Sequence, residues 1–501
     1  MRIASSELRE LISSLSQLEQ KQFLLSDKSS PSSEYLNLFK LYLKHKDKND
    51  EDIKQLSKLQ NFERVKYYLH KQVINFVAQN STLTSQKEIM NMLLAADTLA
   101  EKSLTLHALR ILQKAKAFVE KKELYIFKLL VDERIYHYES TMGNEKYYEY
   151  FANTYDHEFK KDIKIIEQEQ ATKVYIMRRR LFALKNHSLM RSGESINELK
   201  QTFADYIRKN EEEGLKSFAA RSRFYIIAAY YNQQLRDNSK AVNYFSKSVE
   251  EFETINPNPQ DNYIEYASAL HDLMFTHSKT HNFSIIREVL DKLISIKPRN
   301  KRHYRAIMQS YVNYEGLYCK HHPDYPSRAE KLKLIDNYLK TQREHFTKIF
   351  FLQTAFNLSV NYFINKNFRK ALEIINLCDD IESSQFLKDY LSVIRVYKLV
   401  IYFELDKADL LSFALRNTYR YMLKNMQYYA FEEEVITALK KISTLSNIRT
   451  KNKIWQDTYH NLSTLKKNTD AVLVFHLFNF TGWIHCMLNN LPYDTIMNED
   501  N

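Results

Sequence analysis

The sequence predicts an all-α fold: a right-handed α-solenoid of stacked antiparallel helix pairs. Three observations carry that expectation. The 501 residues include 5 glycines and 7 prolines, where average usage gives roughly 35 and 25. Hairpins, dinucleotide-binding turns and phosphate loops need residues that tolerate positive φ, so so few glycines argue against all three. A helix pair, clearest at residues 353–378 with a turn at Asn365-Lys366-Asn367, recurs along the chain. Prolines fall where helices should stop, at Pro257 and Pro259, Pro298, and Pro323 with Pro326.

Residues 1–80 read as an N-terminal helical module or cap. Residues 5–24 form one amphipathic helix, with Leu8, Leu11, Ile12, Leu15 and Leu18 at helical spacing. A polar loop follows at 26–33, then helices near 34–45, 50–59 and 62–78. A second break at 79–85 ends in Ser85-Gln86-Lys87-Glu88, a capping box that satisfies the free N–H groups of a new helix.

Residues 85–450 read as helical repeats. An apolar residue a few positions past each turn anchors the alignment: Ala108, Ala241, Ile286, Ala329, Ala371 and Leu411. Successive spacings from Ala241 are 45, 43, 42 and 40 residues, the period of a helical-hairpin solenoid. Weaker turns are placed near Met142-Gly143-Asn144 and Arg191-Ser192-Gly193. Residues 451–490 are expected as C-terminal capping helices, with a last apolar helix over 471–488. Residues 491–501 are expected as a disordered tail.

In the best copy, Ala355, Leu358, Ser359 and Tyr362 share one face of the first helix. Ala371, Ile375 and Cys378 continue a stripe on the second. This order of bulky, small and aromatic residues, turn, then alanine resembles the tetratricopeptide repeat. Pair 224–252 fits through Tyr225, Ala228, Ala229, Ala241, Phe245 and Ser248, and pair 268–296 more loosely. The family repeat has 34 residues; here it is longer and no tryptophan opens a helix. The stretches at 7–25, 35–42 and 402–436 also resemble a functionally uncharacterised group of large helical-repeat proteins of Bacteroidetes-type bacteria.

The resemblance implies that the first helix of each pair lines a concave groove. Its candidate partner-binding residues are Gln353, Phe356, Asn357, Val360 and Phe363, then Arg223, Tyr230 and Gln233, then His271 and Phe275. Rings and amides there suit an extended peptide or a helix, and the opposing reading is packing against the next repeat.

Other clusters point elsewhere. Cys319, His321, His322 and Asp324 have metal-ligand chemistry, but adjacent histidines do not easily both point inward, and Pro323 and Pro326 mark a surface loop. His277 and His281 lack the glutamate of a zinc-protease motif, and no nucleophile elbow or phosphate loop is present. The expectation is a non-enzyme with no cofactor and no metal. Residues 177–180 and 297–305 are the densest basic runs in a chain of formal charge +12, which leaves nucleic-acid contact through a basic face as an alternative. A second alternative is a regulator that senses a partner through the repeats and acts through residues 1–80. Three cysteines without a CxxC, no signal peptide and no apolar run long enough to span a bilayer predict a cytoplasmic protein without membrane insertion.

Overall fold

The computed structural model describes residues 7–26, 34–45, 47–80, 85–142, 156–185, 193–255, 262–298, 300–381, 387–424, 430–466 and 477–497. Every regular element among them is helical, with no strand. The expected turns at 142–144 and 191–193, the loop at 27–33, and Pro257 and Pro259 lie wholly or mostly outside the described residues. The chain divides into two compact units, Met1–Glu88 and Ile89–Asn501.

The first unit contains α1 (Glu7–Ser14), α2 (Gln17–Ser26), α3 (Glu34–Lys44), α4 (Asp50–Ser57) and α5 (Phe62–Asn80). Leu8, Ile12, Phe23, Phe39, Leu69 and Val73 form its core. The single helix expected over 5–24 is instead two. Ser16 Oγ accepts from Glu19 N at 3.3 Å and Ser16 N donates to Glu19 Oε2 at 2.7 Å. That capping box starts a new helix and breaks the old one. Asn49 caps α4 in the same way, accepting from Asp52 N at 2.9 Å.

The second unit is a run of helices, each packed on its sequence neighbours. After α6 (Ser85–Glu101), which begins before the unit boundary, come α7 (Thr105–Lys121), α8 (Tyr125–Thr141), α9 (Asp156–Lys185), α10 (Gly193–Glu213), α11 (Phe218–Gln234), α12 (Asn238–Ile255), α13 (Tyr263–Lys279) and α14 (Phe283–Ser295). Then follow α15 (Lys301–His321), α16 (Arg328–Thr341), α17 (Lys348–Ile364), α18 (Phe368–Asn376), α19 (Lys388–Glu404), α20 (Ala408–Lys424), α21 (Ala430–Ser443), α22 (Ile448–Lys466) and α23 (Phe480–Asn489). Among the described residues, none of these helices is long and apolar enough to cross a membrane.

Alternate helices are joined by hydrogen bonds at a nearly constant offset. Gln233 donates to Thr276, 43 residues on, and Gln353 to Tyr390, 37 on. Asn357 reaches Asn313 at 44, and Ser392 reaches Glu432 at 40. A long-period helical array produces such offsets.

The tight turns share one geometry. Ser103, Glu123, Arg236, His281, Lys366 and Asp406 have φ between 51° and 67°. In each case the next residue's N–H bonds the carbonyl five positions before it: Leu104 to Leu99, Leu124 to Val119, Asp237 to Asn232, Asn282 to His277, Asn367 to Tyr362 and Lys407 to Tyr402, at 2.9–3.2 Å. This is the Schellman end of a helix. Positive φ is therefore used repeatedly without glycine, so scarce glycine reports long helices and not an absence of left-handed turns. Five residues beyond five of these sites stand Ala108, Ala241, Ile286, Ala371 and Leu411, all buried.

Ala329 breaks the set and is exposed. The turn before it carries Pro323 and Pro326 and has no left-handed residue, which shifts the register. Arg328 is buried in its place. It donates to Cys319 O at 3.0 Å, Asn361 Oδ1 at 3.1 Å and Asn365 Oδ1 at 3.1 Å.

The C-terminal expectations need correction. The last helix covers Phe480–Asn489, and residues 471–476 lie outside the described residues. The expected tail is ordered through Met497. A 3₁₀ turn, η1 (Tyr493–Thr495), follows α23, and Tyr493, Ile496 and Met497 are buried. Aromatic and β-branched side chains there have a surface to bury against, so the segment packs. Residues 498–501 lie outside the described residues.

Candidate functional site

The predicted groove residues divide into two regions. On α17 the predicted face is closed. Phe356, Val360 and Phe363 are fully buried, and Asn357 nearly so. The face expected to be open is therefore interior, which corrects the groove reading for these residues. A helix that is apolar all round must be covered all round. The cover comes partly from far along the chain. Phe363 meets Phe478 edge-on at 5.2 Å between ring centroids and stacks on Tyr493 at 5.9 Å. Phe356 packs on Tyr397 of α19 at 4.9 Å.

The polar groups in this region are spent on structure. Asn357 Nδ2 donates to Asn313 Oδ1 at 3.2 Å, and Asn361 Nδ2 to Gly316 O at 2.8 Å. Lys320 donates to Leu477 O at 3.3 Å and Asn357 Oδ1 at 3.5 Å. Burial pushes its ammonium pKa down to about 7, because low dielectric disfavours the charged form. Gln353 donates to the Tyr390 hydroxyl at 3.0 Å.

On α11 and α13 the side chains stay partly accessible, and α9 brings a further residue to them. The Arg179 guanidinium lies over the Tyr230 ring at 5.3 Å, a cation–π contact. It approaches Asp272 Oδ2 at 3.8 Å. Arg179 Nε, Asp272 Oδ2 and Arg223 Nη1 are shielded from solvent, yet none forms a hydrogen bond among the described residues. Shielded polar atoms normally find one. His271 Nδ1 lies 3.2 Å from Ser310 Oγ, and its ring meets Phe350 and Tyr314 edge-on. Burial lowers its pKa, the nearby Asp272 carboxylate opposes that, and Arg179 adds to it. Phe275 carries the Lys279 ammonium 4.5 Å above its ring, and burial lowers that lysine to about 8. Tyr230 is raised to about 12, chiefly by burial. Gln233 is instead used structurally, on Thr276 at 2.9 Å.

The structure thus places Arg223 and Tyr230 on α11 and His271 and Phe275 on α13, all partly accessible, in contrast to the buried Phe356, Val360 and Phe363 of α17. Arg179 is visible in the sequence only as one member of a basic run. Its placement over Tyr230 depends on α9 packing against α11, which no local pattern encodes.

The remaining clusters resolve as packing. Cys319 is buried, its thiol pushed up to about 12 by desolvation. His321 stacks on Phe283 at 3.9 Å and His322 on Tyr318 at 4.1 Å. Among the described residues, no three His, Cys, Asp or Glu side chains are grouped to hold a metal ion. Beside α11, a cavity of about 420 Å³ lies between Glu211, Tyr225, Tyr244 and Lys247. Its Arg221 is already held by both oxygens of Glu251, at 2.9 and 3.0 Å.

No protein-family model matches the chain, and no curated protein matches it significantly.

Proposed function

We propose that the chain is a non-enzymatic scaffold that binds a protein or peptide segment on the face shared by α9, α11 and α13, within a right-handed stack of antiparallel helix pairs. The observation that carries this reading is the Arg179–Asp272 pair. The two side chains are 21% and 20% exposed and present a guanidinium and a carboxylate together, beside Tyr230 and His271. A peptide unit supplies the complementary carbonyl and N–H, and aromatic neighbours supply apolar contact that water cannot. No catalytic role is assigned to any residue, and no cofactor is invoked.

The test is affinity purification of the full chain from native lysate, quantified by mass spectrometry. Partners captured by the wild type are expected to be lost from an Arg179→Ala, Asp272→Ala double variant and kept by a Lys240→Glu control. An unchanged partner set in the double variant would sink the reading.

A further inference from the structure

The segment after α23 shows a feature that no single helix pair explains. Glu404 is the last residue of α19, the helix end where a carboxylate is electrostatically disfavoured. Burial raises its pKa further. Its Oε1 accepts from Trp483 Nε1 at 2.6 Å and from the Tyr493 hydroxyl at 2.8 Å. The Tyr493 ring stacks on Phe363, lies 6.2 Å from Phe368, and has the Lys366 ammonium 4.8 Å above it. A tyrosine thus fills a notch built from Phe363, Phe368, Lys366 and Glu404.

We propose that residues 490–497 are a strap that opens as a unit, and that the vacated notch binds a tyrosine or tryptophan side chain presented by a partner segment. The partner's ring takes the place of Tyr493, and its O–H or N–H donates to Glu404. The proposal rests on the scaffold reading above and adds a second, gated contact to it.

Two features make the strap the part that releases. It seats only Tyr493, Ile496 and Met497, few apolar side chains against the ordering of the whole segment. Opening also exposes Glu404, a partly buried carboxylate at an unfavourable helix end, further to water. The strap starts from Leu491 N–H on Cys486 O at 2.9 Å, and its far end is set by a close approach: Ile496 O accepts from Asn479 Nδ2 at 2.9 Å, and a Cβ on Gly482 would sit 2.4 Å from that same oxygen. Gly482→Ala therefore displaces Ile496 O, and also presses on Asn479, 2.8 Å from the new Cβ, while leaving Phe363, Lys366, Phe368 and Glu404 unaltered; alanine suits a helix interior.

The experiment uses the full chain and a fluorescent peptide of residues 490–495, which carries the tyrosine and stops short of the Ile496 carbonyl that meets position 482, read by anisotropy. The peptide is expected to bind Gly482→Ala and Tyr493→Ala at least tenfold more tightly than wild type. A peptide with alanine for its tyrosine should not bind, and Glu404→Ala added to either variant should abolish binding. Equal or absent binding in all chains that retain wild-type helical circular dichroism overturns the proposal. Hydrogen exchange on the wild type gives a second measurement that needs no variant. Amides of 491–497 should exchange at least a hundredfold faster than those of α17, and equal protection overturns the proposal. Arg179→Ala should leave the strap peptide's affinity unchanged, which separates failure of this notch from failure of the α9–α11–α13 face.

Discussion

Helices α13 and α17 present similar stripes of aromatic, amide and small residues, yet one stays accessible and the other is sealed. On α13, His271, Asp272 and Phe275 keep partial exposure and a shielded carboxylate oxygen goes without a hydrogen bond. On α17, Phe356, Val360 and Phe363 have none. The helices differ less than their surroundings do: Phe478 and Tyr493 arrive over α17 from more than a hundred residues away. A helix face in an array acquires its role from what is laid upon it, and that is a property of chain topology.

The comparison can be broken most directly by truncation. Phe363→Ala removes a fully buried ring from the sealed region and should cost about 3–5 kcal/mol, whereas Tyr230→Ala on the accessible face should cost about 1 kcal/mol. Denaturant titration of both variants checks this, and equal losses would mean that the two regions are equally interior. Arg328→Ala strips hydrogen bonds from Cys319 O, Asn361 and Asn365 at once. It should cost about 3 kcal/mol, since buried acceptors lose a charged donor.

Lys320 sharpens the contrast by adding pH. Burial holds its folded pKa near 7 against the model-peptide value of 10.5. The folded chain therefore releases this proton near pH 7, while the unfolded chain keeps it until about pH 10.5. The penalty is full below pH 7 and fades as pH rises towards the unfolded value. Lys320→Met should stabilise the chain by on the order of 2 kcal/mol at pH 6 and by much less at pH 9.5. A gain independent of pH would show that the ammonium is hydrated in the folded chain. The smallest expected effect is at the turns: Lys366→Gly or Asp406→Gly should stabilise by about 1 kcal/mol by removing a left-handed β-carbon. An equivalent change at Ala329, which follows the proline turn, should not stabilise.

Helix identity was legible in the sequence because apolar periodicity is local. The third, fourth and fifth helices of the first unit, at 34–44, 50–57 and 62–80, lie within a few residues of their expected limits. The anchors Ala108, Ala241, Ile286, Ala371 and Leu411 were legible for the same reason: a small or apolar residue at a fixed step past a turn. Ala329 misled because two prolines changed the length of its turn while leaving an alanine nearby. The break at Ser16 went unseen because the leucines continue through it, although the Ser16–Glu19 box was there to read. The exposure of the candidate residues was partly legible: Tyr230, His271 and Phe275 are partly accessible. Phe356, Val360 and Phe363 are not, because their cover is supplied by residues 478 and 493, and no local spacing connects positions that far apart.

Six of the second unit's left-handed turns form a graded set of probes. Each holds a different non-glycine residue in the same backbone state, at Ser103, Glu123, Arg236, His281, Lys366 and Asp406. A glycine placed at any one relaxes the same local strain, and sites far apart act nearly independently. In an array whose units hold mainly their neighbours, such a change slows unfolding only where that turn is lost before the rate-limiting step. Six single substitutions would therefore chart the order in which the second unit comes apart, and show which end of it gives way first.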